Sequence, residues 1–139
     1  MGRVVAVDYG KKRCGIAWTD VLQLSVNPQP WITPDKLEDY LADLISNDDV
    51  QLVLLTKSKH VDGTDNTIQK DIDRFAERLK KRVPSLQIDF AEEYKSSKEA
   101  AQYLRDTGVG KKKRSEKGAL DSIAAGIILE RYLRDTGRW

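Results

Sequence analysis

Acidic side chains stand at three positions where an α/β protein could assemble a site. Asp8 ends the first apolar run, Glu92 and Glu93 follow the run from Leu86 to Ala91, and Asp121 lies near the start of a predicted final helix. Sites in open α/β sheets collect at the carboxyl ends of strands. Simpler interpretations are a turn cap at the first acid, a solvated strand end at the glutamates and a helix-dipole acid at the last. Position alone leaves both interpretations open.

Asp121 is the acid that a surface role explains least well. Between Ala119 and Leu129, only Asp121 and Ser122 interrupt a run of Ala, Gly, Ile and Leu. A helix that is apolar nearly all round is buried, and an unpaired carboxylate there is costly, so it needs a cation, a donor or a metal as partner. If the three acidic positions converge, their oxygens suit Mg²⁺ or Mn²⁺. A pair of such ions would activate water and stabilise the leaving oxygen of a phosphodiester.

Apolar runs of strand length predict the elements that hold the first acid. The runs Arg3 to Asp8 and Cys14 to Thr19 are separated by the short turn that begins at Gly10, which favours an antiparallel hairpin. A weaker strand around Leu24 to Trp31 contains two prolines, which restrict it to a sheet edge or a bulge. The N-terminal part is therefore predicted as a hairpin or a three-stranded meander.

The rest of the chain alternates between helical stripes and strand-length apolar runs. The predicted order after the hairpin or meander is α, β, α, β, α, α, which requires an α/β layered structure with a mixed sheet. The predicted helices are Leu37 to Ile45, Ile68 to Leu79, Ser96 to Gly108 and about Ala119 to Arg134, and the predicted strands are Gln51 to Thr56 and Leu86 to Ala91.

Length and composition predict one cytoplasmic domain. The 139 residues match one ordinary domain, and the single cysteine, Cys14, cannot form an internal disulfide, which favours a reducing compartment. Charged residues interrupt the first apolar stretch, so no signal peptide is predicted. The longest uncharged apolar run, Ile123 to Leu129, is about a third of the roughly 20 residues that a membrane-spanning helix needs.

Charge is nearly balanced overall but unevenly distributed. The net charge is +2, which does not by itself indicate nucleic acid. Between Lys95 and Lys117, however, the chain has eight basic residues against three acidic ones. A run of this kind is either a solvated loop or a contact for a polyanion, and the sequence leaves both open.

The combination of motifs resembles the YqgF family over essentially the whole chain. The motifs are the Asp8-Tyr9-Gly10 opening with Arg13, Gly15 and Ala17, the Asp62-Gly63-Thr64 loop, and the stretch from Lys117 to Leu129 around Asp121. The resemblance implies a ribonuclease H-like three-layer fold in one domain over residues 1–139, with a mixed sheet and helices on both faces. Gly10 and Gly15 are then structural turn residues. Proteins of this family are described as Holliday junction resolvases and as nucleases that mature the 5′ end of pre-16S rRNA.

The resemblance also implies a catalytic and metal-binding set of Asp8, Glu93 and Asp121, with Mg²⁺ or Mn²⁺ as cofactor. Glu93 matches the glutamate of the family's Asp-Glu-Arg motif, and Glu92 replaces its aspartate and is the alternative ligand. The arginine of that motif is Tyr94 here, and the family's Gly-Leu-Pro is Thr56-Lys57-Ser58. A phenol does not reproduce the bidentate grip of a guanidinium on phosphate. The predicted nucleic-acid contacts are Lys57, Lys59, Lys95, Lys111, Lys112, Lys113, Arg114 and Lys117.

Three functional hypotheses follow. The leading one is a metal-dependent nuclease that acts on structured RNA, with 5′-end processing of pre-16S rRNA implied by the resemblance. The second keeps the site and resolves four-way DNA junctions, which favours a homodimer over a monomer. The third is a catalytically weak nucleic-acid-binding factor in ribosome assembly.

Overall fold

Five strands form one mixed sheet in the order β3-β2-β1-β4-β5. The computed structural model describes residues 2–57, 67–92 and 119–138, together with Gln102. The strands are β1 (Arg3–Asp8), β2 (Cys14–Thr19), β3 (Val26–Ile32), β4 (Val50–Lys57) and β5 (Gln87–Glu92), and the helices are α1 (Pro34–Asn47), α2 (Thr67–Arg82) and α3 (Ala119–Asp135). The predicted helix from Ser96 to Gly108 lies outside the described residues, apart from Gln102.

Strand directions resolve the choice between hairpin and meander. β1 pairs antiparallel with β2 and β2 pairs antiparallel with β3, so the N-terminal strands form a meander. β1 and β4 are parallel, and so are β4 and β5, because each connection between them crosses over a helix. The prolines of β3, Pro28 and Pro30, lie on the edge strand as predicted, where a missing N–H is tolerated.

Alternation along the strands sends side chains to two separate apolar cores. On β1, Val5 and Val7 belong to the core that α1 and α2 cover, whereas Val4 and Ala6 belong to the core that α3 covers. All four side chains are at most 1% exposed. Helices therefore lie on both faces of the sheet, and the predicted three-layer architecture is confirmed.

Cys14 and Trp18 pack into the interior, which is the ordinary role of such residues in a strand. Cys14 is fully buried in the core on the α1 and α2 side, and Trp18 packs against that core under the guanidinium of Arg3, 5.8 Å from the ring centre. In the part of the chain that the structure describes, no helix combines the length and the apolar character that a membrane crossing requires.

Candidate active site

The parallel strands bring polar residues to one edge of the sheet. β1, β4 and β5 end on the same side, with Asp8, Lys57 and Glu92 as their last residues. Val7 is in register with Leu55, which sets Asp8 beside Thr56. The amide of Tyr9 donates a hydrogen bond to Thr56 Oγ1 at 3.2 Å, and this bond fixes the chain immediately after Asp8. We call this side of the sheet the carboxyl edge.

Gly15 lies within β2 and not in a turn as predicted, and it allows the first turn of α3 to reach the carboxyl edge. It is the antiparallel partner of Asp8, and partners of this kind lie about 4.5–5.5 Å apart between Cα atoms. A Cβ on residue 15 would overlap the carbonyl group of Asp121 and lie 2.6 Å from the amide nitrogen of Ser122. The backbone of α3 therefore rests directly on β2, and the turn that holds Asp121 lies next to Asp8.

Ser122 fastens this contact with a hydrogen bond. Its hydroxyl accepts the N–H of Ile16 at 3.2 Å, and the side chain of Ser122 is buried. A buried amide that loses its acceptor destabilises a fold by about 1–3 kcal/mol, so the bond specifies where α3 docks on β2. Asp121 and Ser122 therefore both contact β2, Asp121 through its backbone carbonyl and Ser122 through its hydroxyl.

Asp121 is paired with an arginine, and it is less buried than the sequence indicates. Nε of Arg13 donates to Oδ2 of Asp121 at 3.0 Å, and the two side chains are 31% and 36% exposed. The expectation of a carboxylate inside a fully buried helix is wrong for this side chain, because the helix starts at the carboxyl edge, where the side chain of Asp121 is partly open to solvent. An ion pair exposed to this degree contributes about 1 kcal/mol or less, so its main effect is to orient the carboxylate.

The pKa of the buried Cys14 thiol is raised by its surroundings. Burial first, and then the negative charges of Asp8 and Asp121, raise this pKa to about 11, and a hydrogen bond with the backbone of Gly10 opposes the shift. At neutral pH the sulfur is a protonated thiol, which is a poor metal ligand.

Because the pKa of Cys14 is raised, the stability of the fold should depend on pH. The folded protein retains the thiol proton between about pH 9 and 11, where the unfolded chain has lost it, so stability falls as the pH rises through that interval. We expect iodoacetamide to label Cys14 slowly at pH 8 in the folded protein and rapidly in urea. Equal labelling rates in the two states would contradict the burial and the pKa shift.

The other predicted site residues are distributed as follows. Lys57 and Glu92 are exposed and in register with each other at the ends of β4 and β5. Within residues 2–57, 67–92 and 119–138, no group of three or more His, Cys, Asp or Glu side chains is arranged to hold a metal ion. Outside the described residues lie Glu93, Lys59, Lys95, Lys111, Lys112, Lys113, Arg114 and Lys117.

Thr56, Ser122 and the pairing of Arg13 are the site features that sequence reasoning missed. Thr56 is almost fully buried near the end of β4, and its hydroxyl is the acceptor for Tyr9. A hydroxyl at the end of a continuous apolar strand was the available signal. Arg13 and Asp121 are separated by 108 residues, and only the fold reveals that pairing.

The backbone is similar to solved structures of RuvC from Thermus thermophilus. One, described as RuvC in complex with a Holliday junction substrate, has a TM-score of 0.60 and 11% identity and covers 97% of this chain and 96% of that chain. Another RuvC structure has a TM-score of 0.58 and 10% identity and covers 96% of each. The protein therefore has the ribonuclease H-like α/β fold, and the predicted fold class is confirmed.

Sequence comparison identifies the family within that class. The family model described as "RuvX: Holliday junction resolvase" matches residues 2–135. A relative from Chlorobium luteolum is 39% identical over 134 residues, and one from Parabacteroides distasonis is 37% identical over 133; each match covers 96% of this chain and 95% of the relative. Both relatives bear the name "Putative pre-16S rRNA nuclease".

The chain belongs to the RuvX family, and the resemblance to the YqgF family is confirmed. The functional class predicted from the sequence, a nuclease that hydrolyses nucleic acid, is confirmed at that level as well.

Proposed function

We propose that this protein is a metal-dependent nuclease that cleaves structured RNA at the 5′ end of pre-16S rRNA. The observation that supports it most is the contact between Gly15 and the first turn of α3, which brings Asp121 beside Asp8 at the carboxyl edge. The names of the relatives support the choice of substrate. The lone Cys14, held as a buried thiol, is compatible with action in the reducing cytoplasm.

The donor chemistry at the carboxyl edge fits Mg²⁺ or Mn²⁺. Asp8 and Asp121 offer hard carboxylate oxygens, and Arg13 contacts Oδ2 of Asp121 through Nε alone. We propose that Asp8, Asp121 and Glu93 hold the metal. When bound, it would activate a water and stabilise the charge that develops on the phosphodiester. Thr56 fixes the backbone after Asp8, and the contacts of Gly15 and Ser122 fix the turn of α3 that holds Asp121.

Strand alternation favours Glu93 over Glu92 as the third ligand. On β5, Ala91 packs with the α3 core and Asp89 accepts a hydrogen bond from Tyr132 of α3 at 2.7 Å, so odd-numbered residues share the face of α3. Ile88, which has the same parity as Glu92, packs against the opposite core. Glu93 has the same parity as Asp89 and Ala91 in the sequence, and it matches the glutamate of the family's Asp-Glu-Arg motif.

The two glutamates therefore form a matched pair of variants. We expect Glu93→Gln to lower single-turnover RNA cleavage at least about a hundredfold, because a metal ligand is lost, and Glu92→Gln to lower it less than about threefold. Cleavage would be followed on denaturing gels at saturating enzyme. The reverse order of the two effects would assign the ligand to Glu92.

Basic side chains would bind the phosphate backbone of the substrate. We propose this role for Lys57, which ends β4 beside the carboxylates and is exposed, and for the basic residues between Lys95 and Lys117. Contacts of this kind provide affinity with little sequence preference, and they weaken as salt increases.

The description of the RuvX family favours a four-way DNA junction as a second candidate substrate. A parallel incubation distinguishes between cleavage of the RNA and cleavage of this junction. Both substrates are incubated with wild type and with Asp8→Asn, each with Mn²⁺ and with EDTA. Among these incubations, we expect cleavage of the pre-16S 5′-leader RNA in one only, the incubation with wild type and Mn²⁺. Cleavage of the junction instead, together with a dimer in light scattering, would assign the protein to junction resolution. RNA binding with no cleavage in any arm would identify a binding factor.

A further inference from the structure

Arg13 is held at the carboxyl edge by its backbone and by its side chain. Gly10 makes the turn before it so tight that a Cβ there would overlap the carbonyl oxygen of Arg13. Cys14, the next residue, is fully buried as the first residue of β2. At the other end of the side chain, Nε donates to Asp121 Oδ2 at 3.0 Å. Arg13 is thus prepositioned beside the proposed metal ligands.

The pairing with Asp121 uses only a small part of the donor capacity of the guanidinium. An arginine has five N–H donors, and the bond through Nε occupies a single one. Among the described residues, Asp121 is the hydrogen-bond and ion-pair partner observed for Arg13. The side chain is 31% exposed, so Arg13 is partly open to solvent at the carboxyl edge.

We propose that the terminal N–H groups of Arg13 bind a phosphate of the substrate strand while its Nε positions Asp121. The proposal rests on the nuclease function proposed above and adds a substrate-binding residue to it. Two neighbouring carboxylates repel a phosphodiester, and an arginine whose Nε is already anchored approaches the phosphate with little remaining freedom to lose. Its planar donors match phosphate oxygens in the way that Tyr94, in the position of the family's arginine, does not.

Binding without metal separates this role from catalysis. The affinity of wild type for a 5′-leader RNA is measured in EDTA between 50 and 300 mM salt, about the range over which phosphate contacts weaken strongly. Arg13→Gln removes the charge, and Arg13→Lys keeps the charge but loses the fork and the Nε bond. Arg82→Gln is the matched control, because Arg82 is 41% exposed and paired with Glu38 and Asp39 at the end of α2, on the opposite edge of the sheet.

For Arg13→Gln we expect an affinity loss of about tenfold at low salt and a decrease of about 0.7–0.9 in the slope of log affinity against log salt, the loss of one phosphate contact. Arg82→Gln should match wild type in both quantities. Arg13→Lys should keep the slope and lose affinity, since a point charge replaces the fork. A positioning role alone would leave the salt slope of Arg13→Gln unchanged, because Asp121 makes no phosphate contact.

Equal affinities and slopes for Arg13→Gln and Arg82→Gln would overturn the phosphate contact while leaving the nuclease function intact. Absence of RNA binding by wild type would overturn both. Thermal melts establish that each variant is folded. If Arg13→Gln does not fold, the RNA affinity of Arg13→Lys is compared with that of Arg82→Lys. A loss of affinity in Arg13→Lys only supports the phosphate contact of Arg13, and no loss in Arg13→Lys refutes it.

Discussion

Replacement of Asp8 by asparagine is expected to lower RNA cleavage at least about a thousandfold in a protein that still folds. Asparagine keeps the size of the side chain and loses the negative charge that a divalent ion requires. Asp8 is only partly buried at the end of β1, and the backbone bond from Tyr9 to Thr56 does not depend on its carboxylate. The measurement is single-turnover cleavage at saturating enzyme, with a thermal melt in parallel.

RNA binding distinguishes a lost metal ligand from a lost substrate contact. Removal of a negative charge from the carboxyl edge reduces repulsion of phosphate, so Asp8→Asn should bind the leader RNA in EDTA at least as tightly as wild type. Asp43→Asn is the matched control, since Asp43 is exposed on α1, and it should cleave at the wild-type rate. Cleavage by Asp8→Asn within tenfold of wild type would remove this residue from the proposed metal site.

Gly15→Ala is expected to cause the second large effect, although the residue has no chemical group of its own. The added methyl group would overlap the backbone carbonyl of Asp121, and backbone in a packed helix cannot rotate away as a flexible side chain can. α3 must shift from β2, which weakens the bond between Ile16 and Ser122. We expect a loss of about 1–3 kcal/mol of stability and at least about a hundredfold loss of cleavage, because Asp121 moves away from Asp8.

Gly126→Ala is the control for Gly15→Ala, because it makes the same substitution at a roomy position of α3. A Cβ there would lie 3.5 Å from Cγ1 of Val26 and 3.7 Å from Cγ of Pro28, which is ordinary packing distance. Alanine is favoured over glycine in a helix by about 1 kcal/mol, so this variant should be as stable as wild type or more so, and fully active. Chemical denaturation and cleavage of both variants provide the comparison. Equal behaviour of the two variants would refute the close contact at Gly15.

Local sequence patterns predicted the layers of the fold well. The continuous apolar runs of β1 and β4 depend on residues only a few positions apart, and both describe strands buried on two faces. The position of Asp8 followed from the same reasoning, because a strand that ends in an acid delivers it to the carboxyl edge. Choosing the meander over a simple hairpin required the pairing of β2 with β3.

Long-range contacts at the site were beyond local patterns. Two contacts join residues more than a hundred positions apart. Arg13 pairs with Asp121, and Gly15 contacts the backbone of α3 at Asp121. The sequence required a partner for Asp121 and could not select among a cation, a donor and a metal. The exposure of its carboxylate depends on where α3 begins relative to the sheet edge, which packing alone determines.

Thr56 shows how a departure from the family motif can serve the structure. Compared with the family pattern, it replaces a glycine near the end of β4. In the fold its hydroxyl accepts the amide hydrogen of Tyr9 and holds the chain just after Asp8. The substitution therefore adds a hydrogen bond beside the proposed metal site, and it gives no structural reason for the site to be inactive.

The most direct test of metal-dependent catalysis at the carboxyl edge is single-turnover cleavage of a pre-16S 5′-leader RNA by wild type and by Asp121→Asn, each in Mn²⁺ and in EDTA. The site described here predicts cleavage by wild type in Mn²⁺ and by no other combination, with both proteins folded and bound to the RNA. Cleavage by Asp121→Asn at the wild-type rate, or wild-type cleavage that persists in EDTA, would contradict it.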